Sequence, residues 1–251
     1  MEYFLAFVIG AIVGSFLNVC IYRIPLGKSL IFPPSSCPSC GREIKWYDNI
    51  PIISYLILRG RCRNCKEKIS VQYPIIEFLT GLLTLLVFAK YGISLSTFYF
   101  LILTYVLIVV ATIDIKTMLV SVKLCYFTML IGILLSPFVS VVSFKDSILG
   151  ASFGAGVILF VIETYYILTG KEGMGYGDAN IMAVIGAFLG WQKVLLVVFL
   201  ASLVGAIVGI FFMIIKGKDT KFALPFGPFL AIGAYITMLF GEEIINWYLG
   251  C

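Results

Sequence analysis

Four carboxylates lie within or at the ends of strongly apolar stretches: Glu77, Asp114, Glu163 and Asp178. An ionisable side chain at membrane depth is a functional candidate by default, because hydrocarbon does not solvate its charge. Asp178 closes the run Glu172-Gly173-Met174-Gly175-Tyr176-Gly177-Asp178, which sets three glycines and this acid between two apolar segments. Glycine lets a backbone turn sharply and approach another group closely, so Gly175 and Gly177 are candidates for an active-site loop. Two nearby aspartates can share one proton, since like charges at short range do not both ionise cheaply. The neutral acid then polarises a carbonyl while its ionised partner activates water. Asp114 and Asp178 are the candidate pair; the competing reading is two unrelated interfacial aspartates. Such chemistry needs no histidine, and the chain has none, so His-based triads and His-ligated zinc are excluded. Glu77 and Glu163 read either as interfacial groups, solvated or paired with loop lysines and arginines, or as the lining of an active-site or cofactor pocket.

Thiols form the second constellation. Cys37-Pro38-Ser39-Cys40 and Cys62-Arg63-Asn64-Cys65 are two CxxC pairs with 21 residues between them, close to the spacing of four-thiolate structural zinc sites. Each pair offers two sulfurs from one tight turn, and two turns close a tetrahedron with no open position, so the metal's role is to fold a loop with little core of its own. Disulfides are the alternative, disfavoured in a reducing compartment. Cys20, Cys125 and Cys251 read as small apolar residues.

The elements that hold these residues follow from composition. Of 251 residues 61% are hydrophobic and 12% charged, and the mean hydropathy is +1.07; an ordinary soluble domain is excluded, and an all-α polytopic membrane protein is expected. Apolar runs fall at Tyr3–Tyr22, Tyr73–Ala89, Thr97–Ile113, Val122–Val142, Ser147–Leu168, Ala179–Leu189, Val194–Ile215 and Phe222–Phe240, eight segments of which the sixth is short. The first lacks a small-residue cleavage site and reads as a retained helix. Three parts are expected: residues 1–22 as the first membrane helix, 23–72 as the tetracysteine domain, and 73–251 as a seven-helix membrane domain. With 23–72 cytoplasmic and both termini outside, 15 of the 18 lysines and arginines fall on the cytoplasmic side, as the positive-inside bias requires. The net charge of +5 then marks topology and anionic lipid headgroups rather than a nucleic-acid partner. The same alternation brings Asp114 and Asp178, 64 residues apart, to one membrane face.

At this point the chain resembles the type IV prepilin peptidases, which serve type IV pilus, competence and type II secretion systems. Gly175-Tyr176-Gly177-Asp178 is similar to the GxGD motif of intramembrane aspartyl proteases. The residues 14–25 (GSFLNVCIYRIP), 36–40, 46–51 (WYDNIP), 59–65, 73–77 (YPIIE) and 225–229 (PFGPF) extend the resemblance over nearly the whole chain. It implies a bacterial inner-membrane enzyme that cleaves the short basic leader of prepilins and pseudopilins after a glycine. It also implies methylation of the new N-terminal residue, usually phenylalanine, with S-adenosylmethionine. Asp114 and Asp178 are the catalytic pair it implies. Two positions depart from the family pattern: Ser121-Val122 stand where Pro-Asp is usual, and Asn180 stands where lysine is common, removing a cation that could act on Asp178.

Three other functions compete: an ion-coupled transporter that uses the buried carboxylates, a peptidase without methyl transfer, and a non-catalytic membrane scaffold with a zinc-dependent docking loop, which explains the cysteines but leaves the GxGD idle. No repeat relates the two halves, as such a transporter would require. If the third segment ends at Asp114 and the sixth begins after Asp178, the helix dipoles favour a proton on Asp114 and an ionised Asp178. Segment six, at 11 residues, covers about 16 Å of a hydrocarbon core about 30 Å thick, so Asp178 is expected in a recess below the cytoplasmic surface.

Overall fold

In a computed structural model the described residues are 1–171, 173–216 and 224–250. Glu172, Lys218, Lys221 and Cys251, all used in the sequence reading, lie outside them, as do the first two residues of the run expected at Phe222–Phe240. The described residues are helical or irregular, with only two isolated antiparallel bridges, Ser36 to Glu43 and Arg61 to Lys68. The helices are α1 (Glu2–Arg23), α2 (Ile53–Ile57), α3 (Gln72–Tyr91), α4 (Leu95–Thr117), α5 (Val122–Leu135), α6 (Phe144–Thr169), α7 (Tyr176–Leu189), α8 (Val194–Lys216) and α9 (Gly227–Leu249). Apart from the short α2, each occupies one of the expected apolar runs. Six are long and apolar enough to cross a membrane by length and composition; α5 and α7 are shorter.

Helix ends differ from the apolar runs for local reasons. Pro137 in the turn Ser136–Phe138 stops α5 at Leu135, short of Val142, because proline removes an amide donor and clashes with the preceding turn. Helix α9 continues past Phe240 to Leu249, carrying Glu242 into an ion pair with Lys193 at 3.1 Å; glutamate is a good helix former, though it ends an apolar run.

Two compact units result, Met1–Ile93 and Ser94–Cys251. In the first, α1 and α3 approach through glycines. A Cβ at Gly10 would meet Thr84 at 2.5 Å and one at Gly14 would meet the Glu77 Cα at 2.8 Å, a small-residue contact of the kind that joins membrane helices. The polar groups carried inside are satisfied: the hydroxyls of Thr80 and Thr84 donate one turn back, and Asn18 donates to the Tyr73 carbonyl at 3.2 Å.

In the second unit α7 is the central helix, buried at every position from Ile181 to Leu189. Apolarity around its whole circumference is what a core helix requires. The backbone of Gly186 packs directly on that of Gly150 in α6, and a Cβ at Gly154 would meet the Met182 carbonyl at 2.6 Å. Ser147 and Tyr99 both donate to the Ala187 carbonyl, at 2.7 and 3.1 Å. By contrast α8 leaves Leu195, Phe199, Leu203, Ile207, Ile210 and Ile214 exposed along one side as an apolar stripe.

Candidate active site

Asp114 lies inside the last turn of α4 rather than at its end. The helix runs on to Thr117 because the Met118 amide, in a left-handed cap, donates to the Asp114 carbonyl at 2.8 Å. Asp178 likewise lies inside the first turn of α7, not before it: Gly175 is the N-cap, and the Asp178 amide donates to its carbonyl at 3.1 Å. Gly177 is therefore helical and only Gly175 is extended. Gly177 is small for a steric reason, since a Cβ there would stand 2.7 Å from Val120, in the connection from α4 to α5.

The fold brings the two carboxylates together. Asp114 and Asp178 are 5% and 7% exposed, and the charge of Asp114 acts on Asp178. A third residue joins them that the sequence reading did not single out. The Gly227 amide, at the first position of α9, donates to Asp114 Oδ2 at 3.0 Å. A Cβ at Gly227 would meet that oxygen at 2.7 Å and the Ile181 Cδ1, one turn beyond Asp178, at 2.9 Å. The signal available was the PFGPF run itself, a glycine between two prolines at the start of an apolar helix. Helix starts leave amides without partners, and a hydrogen bond to a charged group contributes about 1.5–3 kcal/mol, against about 0.3–1 kcal/mol for a charge at an exposed helix end.

Asn180 stands on a different side of α7. With Tyr176, Ala179 and Ala183, at helical spacing, it lines a groove of about 480 Å³ shared with α5 and α6, and its amide donates to the Tyr176 carbonyl at 3.4 Å. Asp178 and Ile181 face the other way, towards Asp114 and Gly227. The groove, too, is turned away from the dyad. Ser121 serves as N-cap of α5.

The two glutamates have separate partners. Glu163 accepts a hydrogen bond from the Tyr176 hydroxyl at 2.8 Å, tying α6 to the first residue of α7. Glu77, 7% exposed, accepts from the Ile52 amide at 2.7 Å. Neither is paired with a lysine or arginine among the described residues. Ile52 has φ 61, a conformation unfavourable for a β-branched residue, so Glu77 holds a strained turn in place.

The thiols of Cys37, Cys40, Cys62 and Cys65 all lie within 4.8 Å of one another and could hold a metal ion. A tetrahedral ion with metal–sulfur bonds of about 2.3 Å requires sulfurs about 3.8 Å apart, and Cys37 Sγ and Cys65 Sγ are 3.8 Å apart. The two turns are built alike. The Cys37 amide donates to Arg42 at 2.9 Å and that of Cys62 to Glu67 at 2.8 Å, and each turn ends on a positive φ, at Gly41 (68) and Lys66 (60). The amides of Cys65 and Asn64 point at the Cys62 sulfur and draw its thiol down to about 7, while at Cys65 the Glu67 amide draws the thiol down but burial and the neighbouring thiols push it up, to about 11. Arg42 bridges the turns to Asn64 at 3.1 Å. Cys20 and Cys125 are buried and apart from the cluster.

Comparison with known proteins gives two family matches. Residues 8–91 match the bacterial peptidase A24 N-terminal domain and residues 101–210 match the type IV leader peptidase family. A prepilin leader peptidase/N-methyltransferase of Aeromonas hydrophila is 38% identical, with 98% of this chain and 93% of that protein aligned. Proteins of the same description from Pseudomonas putida and Legionella pneumophila are 37% and 34% identical, over 96% and 95% of this chain and 91% of each relative. No solved structure matches the chain.

Proposed function

The chain belongs to the type IV leader peptidase family, and on that premise we propose that it removes the basic leader of prepilins and pseudopilins with Asp114 and Asp178 and then methylates the new N-terminus. The observation that carries this reading is the convergence of two buried aspartates, on α4 and α7, inside the family-matched segment. In the reaction, water adds to the carbonyl carbon of the scissile bond, one carboxylate taking its proton while the other gives a proton to the carbonyl oxygen. Collapse of the resulting diol returns a proton to the leaving nitrogen. Purified protein incubated with a prepilin should produce a leader-length mass loss that is absent in Asp178→Ala. Cleavage that persists in that variant would overturn the aspartyl-protease reading.

S-adenosylmethionine supplies an electrophilic methyl group for the second activity. The first unit has a groove of about 420 Å³, within the size range of small-molecule sites, whose lining includes Ser15, Ser35, Trp46 and Asn49. An exposed indole face and a free amide suit an adenine, so these residues would hold the donor. Equilibrium binding of S-adenosylmethionine should weaken in Trp46→Leu, and product mass should rise by one methyl only when the donor is present. No added methyl would reduce the function to peptidase alone.

Zinc is the metal that four thiolates at this spacing favour, with a role confined to folding residues 23–72. The expected setting is the bacterial inner membrane, with eight spans, termini outside and the dyad facing the cytoplasm. Lipid contacts the stripe on α8. The 14 residues of α7 span about 21 Å of a hydrocarbon core about 30 Å thick, and the helix stops at Gly190, with φ 81, which supports a recessed Asp178.

A further inference from the structure

We propose that the backbone amide of Gly227 divides the labour of the dyad, positioning Asp114 as the carboxylate that takes the proton from water and leaving Asp178 to carry the dyad's own proton. This rests on the aspartyl-protease reading and assigns roles within it. An amide N–H donates more strongly to a carboxylate than to a neutral acid, so the bond that Asp114 Oδ2 receives at 3.0 Å favours the ionised form there. Asp178 has no hydrogen-bond partner for its carboxyl among the described residues, so nothing of the kind fixes an anion there. The first turn of α7 favours an anion at Asp178, but a second helix start does the same for Asp114 and adds a direct hydrogen bond. Gly227 is the first residue of the 23-residue α9, so Asp114 meets the positive end of a second helix as well as the closing turn of its own. The opposite division of roles, expected from sequence, weighed the closing turn of α4 at Asp114 and the start of α7 at Asp178, and did not include the start of α9.

Glycine is required at 227 for this contact. A Cβ would crowd both the Asp114 carboxylate and Ile181, so any larger residue moves the amide away from Oδ2. Gly227 is a positioning residue, acting through Asp114. In the reaction the oxygen of water bonds to the carbonyl carbon, its proton passes to Asp114, and the Asp178 proton passes to the carbonyl oxygen. As the C–N bond breaks, Asp114 gives its proton to the leaving nitrogen and Asp178 recovers one from the diol.

The test is infrared difference spectroscopy on the purified full chain, comparing wild type with Asp114→Asn and Asp178→Asn. The protonated-carboxyl band should disappear in Asp178→Asn and remain in Asp114→Asn. A band that survives Asp178→Asn, or is lost in Asp114→Asn, overturns the assignment. Kinetics provide the second arm. Gly227→Ala should lower kcat on the order of 100-fold, the scale expected of a small misplacement of a catalytic group, with KM for prepilin little changed. A raised KM at unchanged kcat would refute the positioning role. Thermal unfolding of Gly227→Ala checks that it folds; if it does not, the infrared arm decides alone. Failure of this inference is distinct from failure of the protease reading, which falls only if Asp178→Ala still cleaves.

Discussion

Gly177 has an ordinary helical backbone, so its value is space rather than conformational freedom. Because Val120 stands 2.7 Å from where a Cβ would sit, Gly177→Ala should push the α4–α5 connection away from the start of α7. Overpacking of this kind costs about 1–3 kcal/mol, and if that cost falls on the transition state prepilin cleavage should drop by about fivefold to about 150-fold, since 1.4 kcal/mol off transition-state stabilisation is a factor of ten. The double variant Gly177→Ala/Val120→Ala should recover most of the lost rate. No recovery would mean that the glycine acts otherwise than by making room for Val120. The same residue-level logic explains Glu77, whose carboxylate is used by the Ile52 amide. Removing it in Glu77→Ala leaves that strained turn without its acceptor, and the expected result is lower thermal stability, readable by unfolding of the purified chain.

The two cysteine turns differ at their closing residue, Gly41 in the first and the exposed Lys66 in the second, both at positive φ. A left-handed conformation costs an ordinary residue about 1–2 kcal/mol, partly offset by the extra freedom glycine brings to the unfolded chain. Lys66→Gly should therefore stabilise the turn by up to about 1 kcal/mol and slow release of bound metal to a chelator; faster release would contradict this. The cysteine pairs, the apolar runs and the aspartates were legible because each is a local pattern of types and spacing. Helix ends were not: apolarity ceases at Asp114 and begins after Asp178, while the backbone continues helical through both, because hydrogen bonding rather than hydropathy decides where a helix stops. Gly227 was less legible still. Its amide meets Asp114 across 113 residues, and nothing local announces that a helix start will be aimed at a carboxylate.

The tetracysteine cluster joins only residues 37–65, inside the first compact unit, whereas both aspartates belong to the second. Chelation of the metal should therefore open new sites of limited proteolysis within residues 23–72 and leave α4 to α9 intact; early cuts in α4 or α7 would show that the second unit depends on the metal. The burial of α7 has a consequence in time as well as in space. Local opening is governed by how much packing must be broken, and from Ile181 to Leu189 this short helix is packed on every side. Its amides should be among the slowest in the chain to exchange with deuterium, slower than those of the longer but one-sided α8. Asp178 thus stands one turn before this tightly packed stretch, so the adjustments that admit and release a peptide should fall to the neighbours that bring Asp114 and Gly227 to it.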